Sequence, residues 1–361
     1  MPASPSRVFS LRPATSNVGN DLIALGTEAL VSDAWPRDVE FVSLPSQGPG
    51  RGGKPSGLTA GSVYEMNQLA DAVLAGGGNV FENGALEIDS TALASLRPPL
   101  GLLAASSGRV RGHDGRLHPR TDGIPASRVV SLCHRAEPLL VRDAATATFL
   151  RELGFEDTQV GGCPSALVDR YIDMPAPDPS LAGTALLSIR HPNLMSIPYA
   201  DQGRVPGDIR RLYRGLAETH DRAVLLCHDY RDLAFAATIP EASVLYTEDP
   251  RQLLSWIAGC AVQIGYRLHG FLAAVATAVP ALHISYDERG ESMLTTMGLD
   301  AFDIPMATSG DVASAALDRL RSLDGRPPRR DAEPALQRFD AVLGAGVATL
   351  ADRVLSREAV R

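Results

Sequence analysis

Short, β-rich apolar runs alternate along this chain with longer stretches whose apolar positions recur at helical spacing, so strands and helices follow one another. Strands are predicted over Arg7–Leu11 and Val39–Leu44, with a helix over Asp21–Val31 after the polar loop Thr15–Asn20. A helix over Val63–Ala70 enters the run Ala72–Ala75, which ends in Gly76-Gly77-Gly78. Strands over Arg128–Leu132 and Leu139–Val141 precede a helix over Ala144–Leu153, capped by Gly154. Asp173–Gly183 holds Pro175, Pro177 and Pro179 among small and acidic residues and reads as a linker. The alternation then restarts, with strands over Ala185–Ile189, Ala223–Leu226, Val244–Tyr246, Val262–Tyr266 and Ala281–Tyr286. Helices are predicted between and after them over Ile209–Thr219, Leu233–Ala237, Pro250–Ala258, Phe271–Thr277 and Pro334–Leu355. Such alternation implies α/β architecture with parallel, doubly wound sheets. The expected division is residues 1–174, a linker at 175–184, residues 185–330, and a terminal helix within 331–361 that packs back across both domains. Gln47–Ser56 and Ser107–Arg120 read as mobile surface loops able to close over a substrate.

Composition narrows the class. A chain of 361 residues, 45% hydrophobic, has enough apolar side chains for two cores. The net charge of −8 with no basic block argues against a nucleic-acid partner, and Lys54 is the only lysine, so arginine carries the positive charge. Cys133, Cys163, Cys227 and Cys260 are scattered without metal spacing, which predicts neither a disulfide framework nor a structural metal and fits a reducing compartment. Met1–Arg7 lacks the charged and apolar regions of a signal peptide, and no apolar run reaches membrane-spanning length. A cytoplasmic location is expected.

Candidate chemistry concentrates near the carboxyl end of the second half. The run Val262–Tyr266 hands over through Arg267-Leu268-His269-Gly270 to a helix, placing a cation and an imidazole at a strand-to-helix junction. In open α/β sheets ligands bind at that crevice, and the helix amino terminus favours an anion. The following strand ends in Asp287-Glu288-Arg289, so a second cation arrives twenty residues after His269. Gly76–Gly78 reads equally as a tight turn or a ligand contact, and Arg142-Asp143 as a ligand arginine or an exposed arginine beside a helix cap. His283, flanked by apolar residues, reads as a core histidine, while His113 and His118 in a polar loop read as solvated.

Several motifs, in order, carry a family resemblance: Asn17-x-Gly19 with Asp21, Gly76–Gly78, Val141-Arg142-Asp143, Gly162-Cys163-Pro164-Ser165, Ser188-x-Arg190, and Arg267–Gly270 followed by Pro280 and Tyr286. Together they resemble the polysaccharide pyruvyl transferase family over about residues 15 to 299. The resemblance implies two Rossmann-like doubly wound domains facing a cleft, as in GT-B glycosyltransferases. It also implies transfer of the pyruvyl group from phosphoenolpyruvate to a sugar hydroxyl pair, giving a pyruvate ketal. Phosphoenolpyruvate would be a co-substrate held by Arg142, Arg190, Arg267, His269, Gly270 and Arg289. Asn17, Gly19, Gly77, Gly78 and Asn79 would face a sugar, glycan or glycoside acceptor. A lipid-linked acceptor would bring the protein to a membrane surface.

Phosphoenolpyruvate carries a phosphate and a carboxylate, which forked guanidinium groups neutralise bidentately. Ketal formation starts with protonation of the methylene carbon, so a general acid is required. His269 is the candidate, with Asp229 and His228 behind it, and Asp21 is the candidate base. No step calls for a metal or a redox cofactor. Arg289 stands where the family commonly has lysine, and Gly19-Asn20-Asp21 has an extra residue inside the usual Gly-Asp pair. The same fold would also suit a nucleotide-sugar glycosyltransferase gripping a diphosphate, or an inactive sugar-binding relative.

Overall fold

A computed structural model describes residues 4–13, 16–48 and 55–359. Thr15, Lys54 and most of the predicted loop Gln47–Ser56 lie outside the described residues. The first half runs β1 (Ser6–Arg12), α1 (Val18–Ala34), β2 (Val39–Pro45), α2 (Ala60–Leu69), β3 (Ala72–Gly78), α3 (Ser90–Ala94) and β4 (Leu100–Ala105). It continues with the hairpin β5 (Val110–Arg111) and β6 (Leu117–His118), then α4 (Ala126–Arg135), β7 (Ala136–Val141), α5 (Ala144–Glu152), β8 (Gln159–Val160) and α6 (Val168–Tyr171). The second half runs β9 (Thr184–Ile189), α7 (Tyr199–Gln202), α8 (Val205–Thr219), β10 (Arg222–Cys227), α9 (Tyr230–Ala236), β11 (Ser243–Tyr246), α10 (Pro250–Gly259) and β12 (Val262–Gly265). It closes with α11 (Leu268–Ala276), β13 (Ala281–His283), α12 (Glu288–Met297), α13 (Val312–Leu323) and α14 (Arg329–Glu358).

Two parallel sheets result, ordered β2-β1-β3-β4-β7-β8 and β11-β10-β9-β12-β13. The central strands β4 and β9 are buried along their whole length, as strands covered by helices on both faces must be. At Gly76 (φ 137°) a Cβ would run into the Leu103 carbonyl of β4, so only glycine lets the two strands pair there.

Four sequence expectations need correction. Arg128–Leu132 belongs to helix α4, not a strand: Val129, Leu132 and Cys133 are its buried residues, at helical spacing. β4 went unpredicted because Leu100–Ala105 has neither β-branched residues nor alternation. β13 stops at His283 rather than Tyr286. Ser107–Arg120, read as a mobile loop, holds the β5–β6 hairpin and is tied to the other half. Arg109 bonds Glu288 through its backbone N–H at 2.7 Å and its guanidinium at 2.5 Å, and Arg111 pairs with Glu291 at 2.7 Å.

The proline-rich segment is likewise fastened. The Asp178 N–H donates to the Ser255 carbonyl at 3.0 Å and Ser255 Oγ to the Ala176 carbonyl at 2.7 Å, laying the segment along α10. The halves also meet directly. The Val18 N–H at the start of α1 donates to the His228 carbonyl at 2.9 Å. Ala144 and Ala145, whose N–H groups open α5, donate to Thr296 Oγ1 and Ser292 Oγ of α12, each at 3.0 Å. α14 touches α11 and α12 of one half and β7 and α1 of the other. Among the described residues no helix is long and apolar enough to cross a membrane.

Candidate active site

Four of the five strands of the second sheet end on one cavity of about 850 Å³. β9 delivers Arg190, β10 His228, β12 Tyr266 and Arg267, and β13 His283; α11 and α12 add His269 and Arg289 from their first turns. From the first half come Asn17 and Asn20 of α1, Gly78 and Asn79 after β3, Arg142 after β7, and Arg111 and Arg120 of the hairpin segment. The carboxyl ends of both sheets thus supply the walls, the position expected of a doubly wound fold.

α11 is held in place by its apolar body: Phe271–Ala276 are all buried, each large side chain contributing about 1.5–3 kcal/mol. Its amino terminus is thereby fixed, with Arg267 as the N-cap residue and His269 in the first turn. α1 comes down on this turn. An ideal Cβ on Gly19 would lie 2.8 Å from His269 Nδ1, so glycine permits the close approach, and Asn17 caps α1 by accepting from the Gly19 N–H at 3.1 Å.

Most arginines on the wall are already matched by carboxylates. Arg267, 5% exposed, pairs with buried Asp232 and donates through Nε to the Ile189 carbonyl at 3.1 Å. Arg289 pairs with Asp287 and, across the cavity edge, with Glu82 at 2.8 Å. Burial would lower the Arg289 pKa, but Asp287 and Glu82 outweigh it and hold it above the ordinary arginine value. Arg111 pairs with Glu291, Arg120 with Asp122 at 2.7 Å, and Arg231 with Asp229 at 2.5 Å. Two arginines differ. Arg190 pairs with no carboxylate among the described residues; Nε donates to the Leu194 carbonyl at 2.8 Å and the guanidinium lies 5.7 Å from the Tyr286 ring centroid. Burial, then the charges of Arg267 and Arg289, push its pKa down, with Tyr286 and Asp232 opposing. Arg142, 3% exposed, reaches Asp143 through Nε at 3.3 Å and leaves Nη2 buried without a partner among the described residues.

Three imidazoles share that condition. His228 Nδ1, His269 Nε2 and His283 Nδ1 are buried without hydrogen-bond partners among the described residues, and all three rings line the cavity. Burial pushes His269 down to about 3, with Arg142, Arg267 and His283 adding to it. His283 falls to about 4 through burial, against the opposing charge of Asp287, and His228 falls well below the usual histidine range through burial and Arg267. The rings are therefore neutral at pH 7.

Asn17, Gly78, Asn79, Arg142, Arg190, Arg267, His269 and Arg289 all reach the cavity wall. Gly19 lies behind His269, and Gly270 packs on Ser188, Gln263 and His228 rather than facing the cavity. Gly77 lines a separate shallow recess over Ile23. Asp21 stays off the wall beside Arg12 and Glu248, its pKa raised to about 6 chiefly by burial. Asp229 also stays off the wall: it caps α9, and although burial would raise its pKa, the bonds from Arg231 outweigh burial and bring it to about 2. Two residues are added that the motifs underrated. His228 stood behind His269 as a candidate, and His283 read as core because apolar residues flank it; it is buried, and as the last residue of β13 it also lines the cavity. Among the described residues no group of three or more His, Cys, Asp or Glu is arranged to hold a metal ion.

A model of the polysaccharide pyruvyl transferase family matches residues 17–288. No curated protein matches the chain. Among solved structures, S. aureus MnaA with UDP is similar at a TM-score of 0.55 and 12% identity, covering 97% of this chain and 95% of that one. The UDP-GlcNAc 2-epimerase of Methanocaldococcus jannaschii, in complex with UDP-GlcNAc and UDP, gives 0.52 and 9%, covering 93% and 99%. The wall teichoic acid polymerase TagF gives 0.51 and 14%, covering 99% and 89%. At these identities the likeness is one of fold, the GT-B arrangement of two Rossmann-like units. With the family model spanning α1 to the start of α12, and hence the strand ends around the cavity, the chain belongs to the polysaccharide pyruvyl transferase family.

Proposed function

We propose that this transferase moves the pyruvyl group of phosphoenolpyruvate to a hydroxyl pair on a glycan or glycoside, forming a pyruvate ketal and releasing phosphate. The observation that carries this reading is the set of buried nitrogens on one wall that have no partner among the described residues, Arg142 Nη2, His228 Nδ1, His269 Nε2 and His283 Nδ1, beside Arg190, which pairs with no carboxylate among them. Buried polar groups are nearly always bonded, so a cluster without partners suits a ligand rich in acceptors. Phosphoenolpyruvate offers acceptor oxygens on both its phosphate and its carboxylate. Arg190 and Arg142 are the anion receptors in this scheme, while Arg267 and Arg289, neutralised by Asp232 and by Asp287 with Glu82, shape the wall. His269 is neutral in the empty cavity and gains a proton when the donor's negative charge arrives. It then protonates the methylene carbon, leaving an oxocarbenium-like centre at the carbon bearing phosphate. One acceptor hydroxyl adds there and returns a proton to His269. The carbon–oxygen bond to phosphate breaks, phosphate leaves with the electron pair, and the second hydroxyl closes the ring as its proton passes to the departing phosphate. The amides of Asn17, Asn20, Asn79 and Asn83 line the acceptor side, where they suit sugar hydroxyls. Phosphoenolpyruvate serves as co-substrate, without a cofactor.

Thermal-shift and calorimetric titrations with phosphoenolpyruvate, and with uridine diphosphate as control, test this on the wild type, Arg190→Ala and His269→Ala. A ligand specific for the folded state stabilises it by about 2.7 kcal/mol at a hundredfold excess over its Kd. Stabilisation by phosphoenolpyruvate, reduced roughly tenfold or more in affinity by Arg190→Ala, is expected. Response to the nucleotide alone would replace this reading with nucleotide-sugar transfer.

A further inference from the structure

His269 alone among the three buried imidazoles has a step in the scheme above, and His228 is the one held by a hydrogen-bonded chain. His228 follows β10, is fully buried, and holds its Nε2 3.2 Å from Ser188 Oγ. Gln263 of β12 donates through Nε2 to the same oxygen at 2.9 Å. A serine hydroxyl has one proton to give. With Gln263 donating to Ser188 Oγ, His228 Nε2 is the one acceptor left to that proton among the described residues, so it accepts it and is itself unprotonated. A neutral imidazole then carries its own proton on Nδ1, the nitrogen that has no partner among the described residues.

The backbone is shaped around this chain. An ideal Cβ on Gly270 would lie 2.9 Å from Ser188 Oγ, 3.0 Å from Gln263 Nε2 and 3.1 Å from His228 Nε2. The glycine of Arg267-Leu268-His269-Gly270 is thus clearance for the hydrogen-bonded chain beneath the first turn of α11. Ser188 of Ser188-x-Arg190 belongs to the same chain, two residues before the arginine that faces the cavity.

We infer that Ser188 and Gln263 are positioning residues that fix His228 as its Nδ1–H tautomer, and that His228 is a further donor-binding residue, giving one neutral N–H to a phosphate or carboxylate oxygen of phosphoenolpyruvate. The inference rests on the pyruvyl-transfer reading. A neutral donor suits a wall already crowded with Arg142, Arg190 and Arg267, because it adds a hydrogen bond without adding charge.

Two measurements on the full chain test it. In a long-range proton–nitrogen correlation spectrum of histidine-labelled protein, the signals lost in His228→Asn identify His228. They should report the Nδ1–H tautomer in the wild type, and Ser188→Ala should abolish that preference; an Nε2–H tautomer in the wild type overturns the inference. In calorimetry with phosphoenolpyruvate, His228→Gln should weaken binding roughly ten- to a hundredfold. His228→Asn, whose amide nitrogen stands near the Nδ1 position, should keep most of the affinity. Gln263→Leu, which spares the serine if Ser188→Ala does not fold, should raise the phosphoenolpyruvate KM more than it lowers kcat. Unchanged binding in His228→Gln, with the wild type binding normally, overturns the donor-binding role alone. A wild type with the Nδ1–H tautomer that binds no phosphoenolpyruvate overturns pyruvyl transfer and that role with it, while the tautomer assignment stands.

Discussion

His269 sits where the empty cavity and the occupied one make opposite demands on its proton. Burial beside Arg142 and Arg267 brings its pKa to about 3, against an unfolded histidine value of about 6.5. A lowered histidine pKa means the unfolded chain binds more protons, so the apo protein should lose stability as pH falls from about 6.5 toward 3. An anionic donor reverses the local field and raises that pKa, so donor binding at neutral pH should take up a proton. Calorimetry in buffers of different ionisation enthalpy should show this uptake in the wild type and lose it in His269→Gln; equal heats in all buffers would remove His269 from the acid role. Much at this scale was legible: Arg267-Leu268-His269-Gly270 identified the junction because strand, cation, imidazole and helix are contiguous. The pairing of Arg267 with Asp232, of Arg289 with Glu82 and the chain through Ser188 and Gln263 were not, since those partners lie far apart in sequence and meet only through the sheet order. The demotion of Asp21 and Asp229 has the same origin. α1 turns one carboxylate toward Arg12 and Glu248, and Arg231 claims the other.

Among the elements, α12 does two tasks. Its first turn carries Arg289 to the cavity, while Ser292 and Thr296, on the same helix, accept from the opening N–H groups of α5 in the other half. A helix cap is worth about 1 kcal/mol. Ser292→Ala combined with Thr296→Val should therefore lower stability by about 1–3 kcal/mol in denaturant unfolding, and a change within error would show that water replaces both caps without loss. Ser292 Oγ also donates to Asp143 at 3.0 Å, which couples this contact to the residue next to Arg142. The strands of the second half were readable one by one, because they are compact apolar runs, but helices α7, α12 and α13 were not predicted. The first half was harder. Val129-Val130 gave α4 a strand-like look, although its buried face repeats at helical spacing, and β4 offered leucine, glycine and alanine where β-branched residues would have marked it.

The whole molecule is bound together from several directions. α14 closes with an Arg37–Glu358 pair and an Arg353–Glu137 pair on the first half, and Phe339 fills the space that a side chain at Gly162 would occupy. The hairpin segment fastens the opposite side through Arg109 and Arg111. The pairing of wall arginines with carboxylates has a kinetic consequence at this scale. An enzyme that gathers an anion by long-range attraction needs uncompensated positive charge, and its association slows as salt screens the field. Among the described wall arginines only Arg142 and Arg190 are left with little or no compensation, inside a chain of net charge −8. At low ionic strength the net negative charge repels an approaching donor anion over a long range, whereas at physiological ionic strength screening confines that repulsion to about one Debye length, some 8 Å. Stopped-flow association of phosphoenolpyruvate should therefore quicken from low to physiological ionic strength, and slowing would mean that the cavity mouth itself steers. If association quickens, the molecule captures its donor by proximity rather than by reach, and works best where that donor is already abundant.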